Sequence, residues 1–159
     1  MNQTNHQQSN QEIHQQLKQG RWRKWQRKLR WLPAIVWMGV IFYLSSKTGD
    51  ELNTVLPFIQ QYFPFIQDFN WGHYVSYFIL AMAVDYGFGA SARSWRTKLY
   101  IVLICTVYGV TDEIHQYFVG GRMMDIYDVR NDAIGAAVWV LLAKVPFVET
   151  IWKKLSYDR

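Results

Sequence analysis

A chain of 159 residues, 50% hydrophobic and 17% aromatic, is enough for one domain and is unusually apolar for a soluble one. Its net charge of +5 is not interleaved with aromatic residues in a recognisable nucleic-acid motif, so nucleic acid is not an expected partner. A single cysteine, Cys105, excludes an intrachain disulfide and a cysteine-built metal site, and its place in an apolar run reads as a small buried hydrophobe.

Residues 1–20 are rich in Gln, Asn and His and contain no apolar core or cleavage pattern of a secretory signal. His6 and His14 read as solvated side chains of this polar arm. From Lys18 to Arg30 there are seven basic residues and no acid, interleaved with Trp22, Trp25 and Leu29. Such a segment fits a juxtamembrane anchor on the cytoplasmic side, drawn to anionic lipid. Residues 1–30 are therefore expected to be a cytoplasmic arm.

Four apolar segments follow, at about residues 31–46, 71–88, 99–118 and 130–148. The first ends in Ser45-Ser46 and has Pro33 in its first turn, where a missing N–H costs little. The 47–70 connection contains Leu52 to Ile66, with Pro57 and Pro64, which reads as one or two short interfacial helices. Asp85, near the end of the second segment, is expected at a boundary as a solvated or capping group. The next connection carries Arg93, Arg96 and Lys98, and the 149–159 tail is again basic. Placing the arm, the Arg93–Lys98 connection, Lys144 and the tail in the cytoplasm puts 14 of the 17 Lys and Arg there. The positive-inside rule then gives an all-α integral membrane four-helix bundle over 31–148, with both termini cytoplasmic.

Polar residues interrupt this pattern at chosen places. In Val110-Thr-Asp-Glu-Ile-His-Gln-Tyr-Phe118, Asp112, His115 and Gln116 share a helical stripe with Tyr108, and Glu113 lies on its shoulder. Asp112 falls about 21 Å along a helix counted from Lys98, inside a hydrocarbon core of about 30 Å. Ionisable groups at that depth are expensive and usually functional. With the expected topology, Ser45 and Ser46, His73, the Asp112–Gln116 stripe and Asp128, Asn131 and Asp132 all fall toward the outer leaflet. Gly135-Ala136-Ala137 would let a neighbouring helix approach closely.

The run Asp112-Glu-Ile-His-Gln-Tyr-Phe-Val-Gly-Gly-Arg122, followed by Asp128-Val-Arg-Asn131 and Gly135, resembles the signature of VanZ-like membrane proteins. Ser45-Ser46 and His73 with Tyr77 resemble that family's remaining marks, and the resemblance covers about residues 31–145. One departure is that such proteins often carry a Lys shortly before the second-segment histidine. This chain has Asn70-Trp71-Gly72 there, so the role of that lysine is either absent here or taken by Arg122. The resemblance implies a small multi-pass protein of the bacterial cell membrane, in a family whose named member is linked to resistance to teicoplanin, a glycopeptide antibiotic. It implies no settled reaction.

Three functions compete for the cluster. It could be a polar network fastening helices, through pairs such as Asp112–His115, Glu113–His73 and Asp132–Arg122. It could be catalytic, with Asp112, Glu113, His115 and His73 as acid–base groups. Asp112, Glu113, His115 and Asp128 would then be candidate ligands for Mg²⁺, Mn²⁺ or Zn²⁺. Arg122, with Gln116, Asp128, Asn131, Ser45 and Ser46, would hold a lipid-linked cell-wall precursor or another anionic headgroup. Or it could be a relay in a small transporter or ligand-binding protein, although no internal repeat is visible.

Overall fold

The computed structural model describes residues 15, 18, 20–22, 25–62 and 70–157. Among these there is no strand, and the helical class expected from the sequence is what the chain adopts. The helices are α1 (Leu32–Ser45), α2 (Gly49–Tyr62), α3 (Asn70–Phe88), α4 (Trp95–Tyr117), α5 (Ile126–Leu142) and α6 (Pro146–Trp152). A 3-10 turn, Gly89–Arg93, joins α3 to α4, and a π-helical turn, Lys153–Tyr157, follows α6. The part of the expected interfacial segment beyond Tyr62 lies outside the described residues.

Each boundary has a local cause. Pro33 sits in the first turn of α1, where its lost N–H has no helical partner to leave. Thr48 and Glu51 form a reciprocal capping box at the start of α2: the Thr48 N–H donates to the Glu51 carboxylate at 2.9 Å, and the Glu51 N–H donates to Thr48 Oγ1 at 3.3 Å. The Thr48 N–H, and then the Lys47 ammonium, hold the Glu51 carboxyl below the usual carboxylate range. Ser94 caps α4 by accepting from the Thr97 N–H at 3.1 Å. Asp125 caps α5 by accepting from the Tyr127 N–H at 2.7 Å.

The fourth expected segment, 130–148, does not continue as one helix. Val145 precedes Pro146 and is extended, since the proline ring excludes the helical conformation before it. The chain restarts as α6 after an 88° bend. Among the described residues, only the stretch Asn70–Arg93 is by itself long and apolar enough to cross a membrane, with α5 and the α6 segment qualifying only when taken together as a bent pair.

Helix α3 lies at the centre, packed most extensively on α5 and also on α1 and α4, while α4 and α5 pack on each other. Tyr77, Leu80, Ala81 and Val84 of α3 meet Ile101 and Cys105 of α4 and Ala136, Trp139 and Val140 of α5. The α3–α5 approach is set at Gly135, where an added Cβ would stand 2.4 Å from the Tyr74 carbonyl oxygen. Helix α1 is pinned by two bonds to main-chain carbonyls: the Trp37 indole N–H donates to Ser76 O at 2.8 Å, and the Tyr108 hydroxyl donates to Met38 O at 2.6 Å.

The sequence expectation for Asp85 is overturned. Its carboxylate is fully buried, as is Lys98, and the two are ion-paired. Two indole N–H groups also donate to Asp85, from Trp139 at 3.1 Å and from Trp152 at 3.0 Å. Because Ser94 starts α4 one turn earlier than Leu99, Lys98 points into the bundle. Nearby, the Arg30 guanidinium donates to Tyr86 O at 3.0 Å and to the Ser156 hydroxyl at 3.1 Å. These contacts tie the basic arm, the end of α3 and the C-terminal turn together.

Candidate functional site

The buried polar cluster lies at the opposite end of α3 and α4 from the Asp85–Lys98 pair. On α4, Cys105, Gly109, Asp112 and Gln116 form one buried line, at the i, i+4, i+7, i+11 spacing of a helix face. Glu113 and His115 fall about 80° to either side of it at 100° per residue. Helix α5 lies on one side and α1 on the other, so the two residues part company. Glu113 is buried toward α5, whereas His115 stacks on Phe42 of α1 with ring centroids 4.2 Å apart.

His73 of α3 is the hub. Its Nδ1 lies 2.9 Å from Asp132 Oδ1, and its Nε2 lies 3.6 Å from Asp128 Oδ2. Glu113 completes the group: one ligand-capable atom from each of His73, Glu113 and Asp128 falls within 4.8 Å of the others. Asp128 and Asp132 are four apart on α5 and so project from one face, with Asn131 beside them. The Tyr74 hydroxyl donates to Asn131 Oδ1 at 2.7 Å, and the Asn131 amide to Asp128 at 3.5 Å. Gly109 makes room for Asp132, since a Cβ there would meet its Oδ2 at 2.4 Å.

A second arm of the cluster runs along α4 to the surface. Asp112 Oδ2 accepts from the Gln116 amide at 3.2 Å, and the buried Ser45 stands near by. The Gln116 carbonyl in turn accepts from the Arg122 guanidinium. Gly121 adopts a positive φ of 74°, open to glycine at little cost, and that turn brings the half-buried Arg122 back over the end of α4. The Glu113 carboxylate accepts from the Asp125 N–H at 2.8 Å and so fastens the same connection.

The structure thus gathers His73, Glu113, Asp128 and Asp132 into one group, and Asp112, Gln116, Arg122 and Ser45 into an adjoining one. It changes the expected pairs. Asp112 meets Gln116 and Ser45 rather than His115. His73 bonds Asp132, with Glu113 near by. Arg122 bonds Gln116 rather than Asp132. Among the candidate metal ligands, His115 is turned to α1 and His73 takes its place. Ser46 is exposed and bonds back to Phe42 O at 2.8 Å, closing the helix end. Tyr74 and Gly109 are the additions to the candidate residues, while Asp132, expected as a partner of Arg122, pairs with His73. Asp132 was visible as the i+4 partner of Asp128, but its pairing with His73 depends on how α3 and α5 rotate together.

Several carboxylate oxygens in this region are buried with no protein partner: Asp112 Oδ1, Glu113 Oε1 and Asp132 Oδ2. The Tyr77 hydroxyl is likewise buried and unpartnered. Buried acceptors of this kind are costly unless something donates to or coordinates them.

An all-helical chain with a buried acid–imidazole cluster at one end of its central helices is the class that fold and geometry define. A family model described as VanZ/LLP1 matches residues 30–149, and the chain belongs to this VanZ-like family. No curated protein and no solved structure matches it.

Proposed function

We propose that this chain is a multi-pass protein of the bacterial cell membrane, with both termini cytoplasmic, whose outward-opening polar cluster binds the anionic headgroup of an envelope lipid or lipid-linked cell-wall precursor. By occupying or altering that species it would change sensitivity to glycopeptides such as teicoplanin. The observation that carries the reading is the inversion of polarity. The outward stripe of α4 is Leu99, Leu103, Val107, Val110 and Ile114, with Leu99 68% exposed, while Asp112, Glu113 and Gln116 are buried. The same holds on α1, where Ile35 is 62% exposed, and on α5, where Leu141 is 60% exposed. Continuous apolar faces of that extent on several helices call for an apolar surrounding rather than water.

At 14 residues α1 is about 21 Å long, shorter than a hydrocarbon core of about 30 Å. Leu29 and the exposed Trp22 and Trp25 before it extend the apolar length to the inner interface. Family membership supports a membrane protein, and the 14-to-three distribution of Lys and Arg supports the topology.

Cysteine labelling tests it. Cys105 is fully buried, which suits a quiet background, and a side chain at Gly120 meets nothing within 4 Å. In intact cells, Gly120→Cys and Asp50→Cys should react with an impermeant thiol reagent, while Ser91→Cys should react only after permeabilisation. Labelling of Ser91→Cys with protection of the other two would reverse the topology and place the cluster on the wrong side for an envelope ligand.

A further inference from the structure

We propose that His73, Glu113 and Asp128 bind one divalent first-row metal ion of the Mn²⁺ or Zn²⁺ type, with Asp132 as the residue that orients the histidine. The inference is independent of the headgroup reading. Four observations converge on it.

First, Nδ1 of His73 faces Asp132 at 2.9 Å, and an ionised carboxylate can only accept. Nδ1 then carries the proton, and Nε2 presents its lone pair on the other side of the ring. A carboxylate holding the far nitrogen of a histidine is the usual support of a metal-ligating imidazole.

Second, Nε2 meets Asp128 Oδ2 at 3.6 Å, too far for a hydrogen bond. Two ligands of one ion, each about 2.1 Å from it at 90–109°, stand about 3.0–3.4 Å apart. The spacing therefore fits a shared ion after a small contraction.

Third, Glu113 is 1% exposed and Oε1 has no protein partner, while Oε2 is held by the Asp125 N–H. One oxygen anchors the side chain and the other is left for a ligand, within the same 4.8 Å group.

Fourth, the carboxylates outnumber the basic side chains set against them. Among the described residues, no lysine or arginine forms an ion pair with Asp112, Glu113, Asp128 or Asp132, since Arg122 bonds Gln116 and Arg130 bonds Asn131. Buried carboxylates are paired or coordinate metals, and two anionic ligands with one neutral imidazole match a dication. One imidazole among oxygens favours Mn²⁺ or Zn²⁺ over Ca²⁺.

The test uses the full chain, purified in nanodiscs, stripped with a chelator and titrated with Mn²⁺ alone. Electron paramagnetic resonance should find one bound ion per chain, displaced by Zn²⁺, with ¹⁴N coupling from a single imidazole in the pulsed spectrum. His73→Ala should abolish that coupling, and both His73→Ala and Asp128→Asn should weaken binding more than about 10-fold. Asp132→Asn should weaken it about 10- to 100-fold while the coupling persists, as for other orienting carboxylates. If a variant fails to fold, the nitrogen coupling and stoichiometry of the wild type decide alone. A folded wild-type protein that takes up no Mn²⁺ or Zn²⁺ overturns the proposal, leaving His73 as an imidazolium clasped between Asp128 and Asp132. Binding without nitrogen coupling, or unchanged by the variants, overturns it equally.

Discussion

Replacing Asp85 with alanine should destabilise the protein by about 3–5 kcal/mol, the usual cost of removing one partner of a buried ion pair. The carboxylate accepts from Lys98, Trp139 and Trp152, which lie on α4, α5 and α6. Its loss strips a fully buried ammonium of its counter-ion and deprives two indole N–H groups of their acceptor. The bent C-terminal segment should be released first, because Trp152 is fixed both by this bond and by packing on Trp139 at a centroid distance of 4.8 Å. Thermal unfolding in detergent should show the loss, and Asp85→Ala/Lys98→Met should recover much of it, since an apolar pair leaves no stranded charge. A single variant within about 1 kcal/mol of wild type would mean that the pair contributes little.

Arg122→Lys should lower envelope activity about 10- to 100-fold although the charge is kept. A guanidinium has donors enough to hold the Gln116 carbonyl with one edge and a phosphate or carboxylate with another, whereas lysine supplies a point charge. Losing charge-assisted, forked bonds costs about 1.5–3 kcal/mol, which is that range in affinity. The effect also passes inward, because Gln116 orients Asp112 through its amide at 3.2 Å. Glycopeptide sensitivity and precursor profiles of the complemented deletion strain measure it. Full activity in Arg122→Lys would reject forked headgroup recognition, as would no change in Arg122→Ala.

The helices and the polar cluster were legible in the sequence because both are local signals. Periodicity marks an apolar stripe, and Asp112, Glu113 and His115 break it. What was not legible depends on neighbours. The sequence places Glu113 and His115 symmetrically about the buried line of α4. Only the positions of α1 and α5 decide that Glu113 faces His73 and Asp128 while His115 faces Phe42. The Asp85–Lys98 pair is hidden in the sequence for a different reason. Ser94, three residues before Thr97, marks a helix start that moves Lys98 from the connection into the first turn of α4. The fourth segment reads as continuous to 148 in the sequence, whereas the chain bends before Pro146 and beyond the bend Trp152 donates to Asp85.

On the proposed function the buried cluster serves a ligand rather than only fastening helices. Glu113→Gln tests it most directly, because the amide keeps the size of the side chain and an oxygen for the Asp125 N–H while removing the charge. Membrane abundance, thermal stability and the lipid and cell-wall precursor profile should be measured side by side in a complemented deletion strain, with His115→Ala as the comparison. Near-normal abundance and stability with loss of the wild-type profile is expected in Glu113→Gln, and a milder change in His115→Ala. Disappearance of Glu113→Gln protein from the membrane, or an unaltered profile at normal abundance, would contradict it.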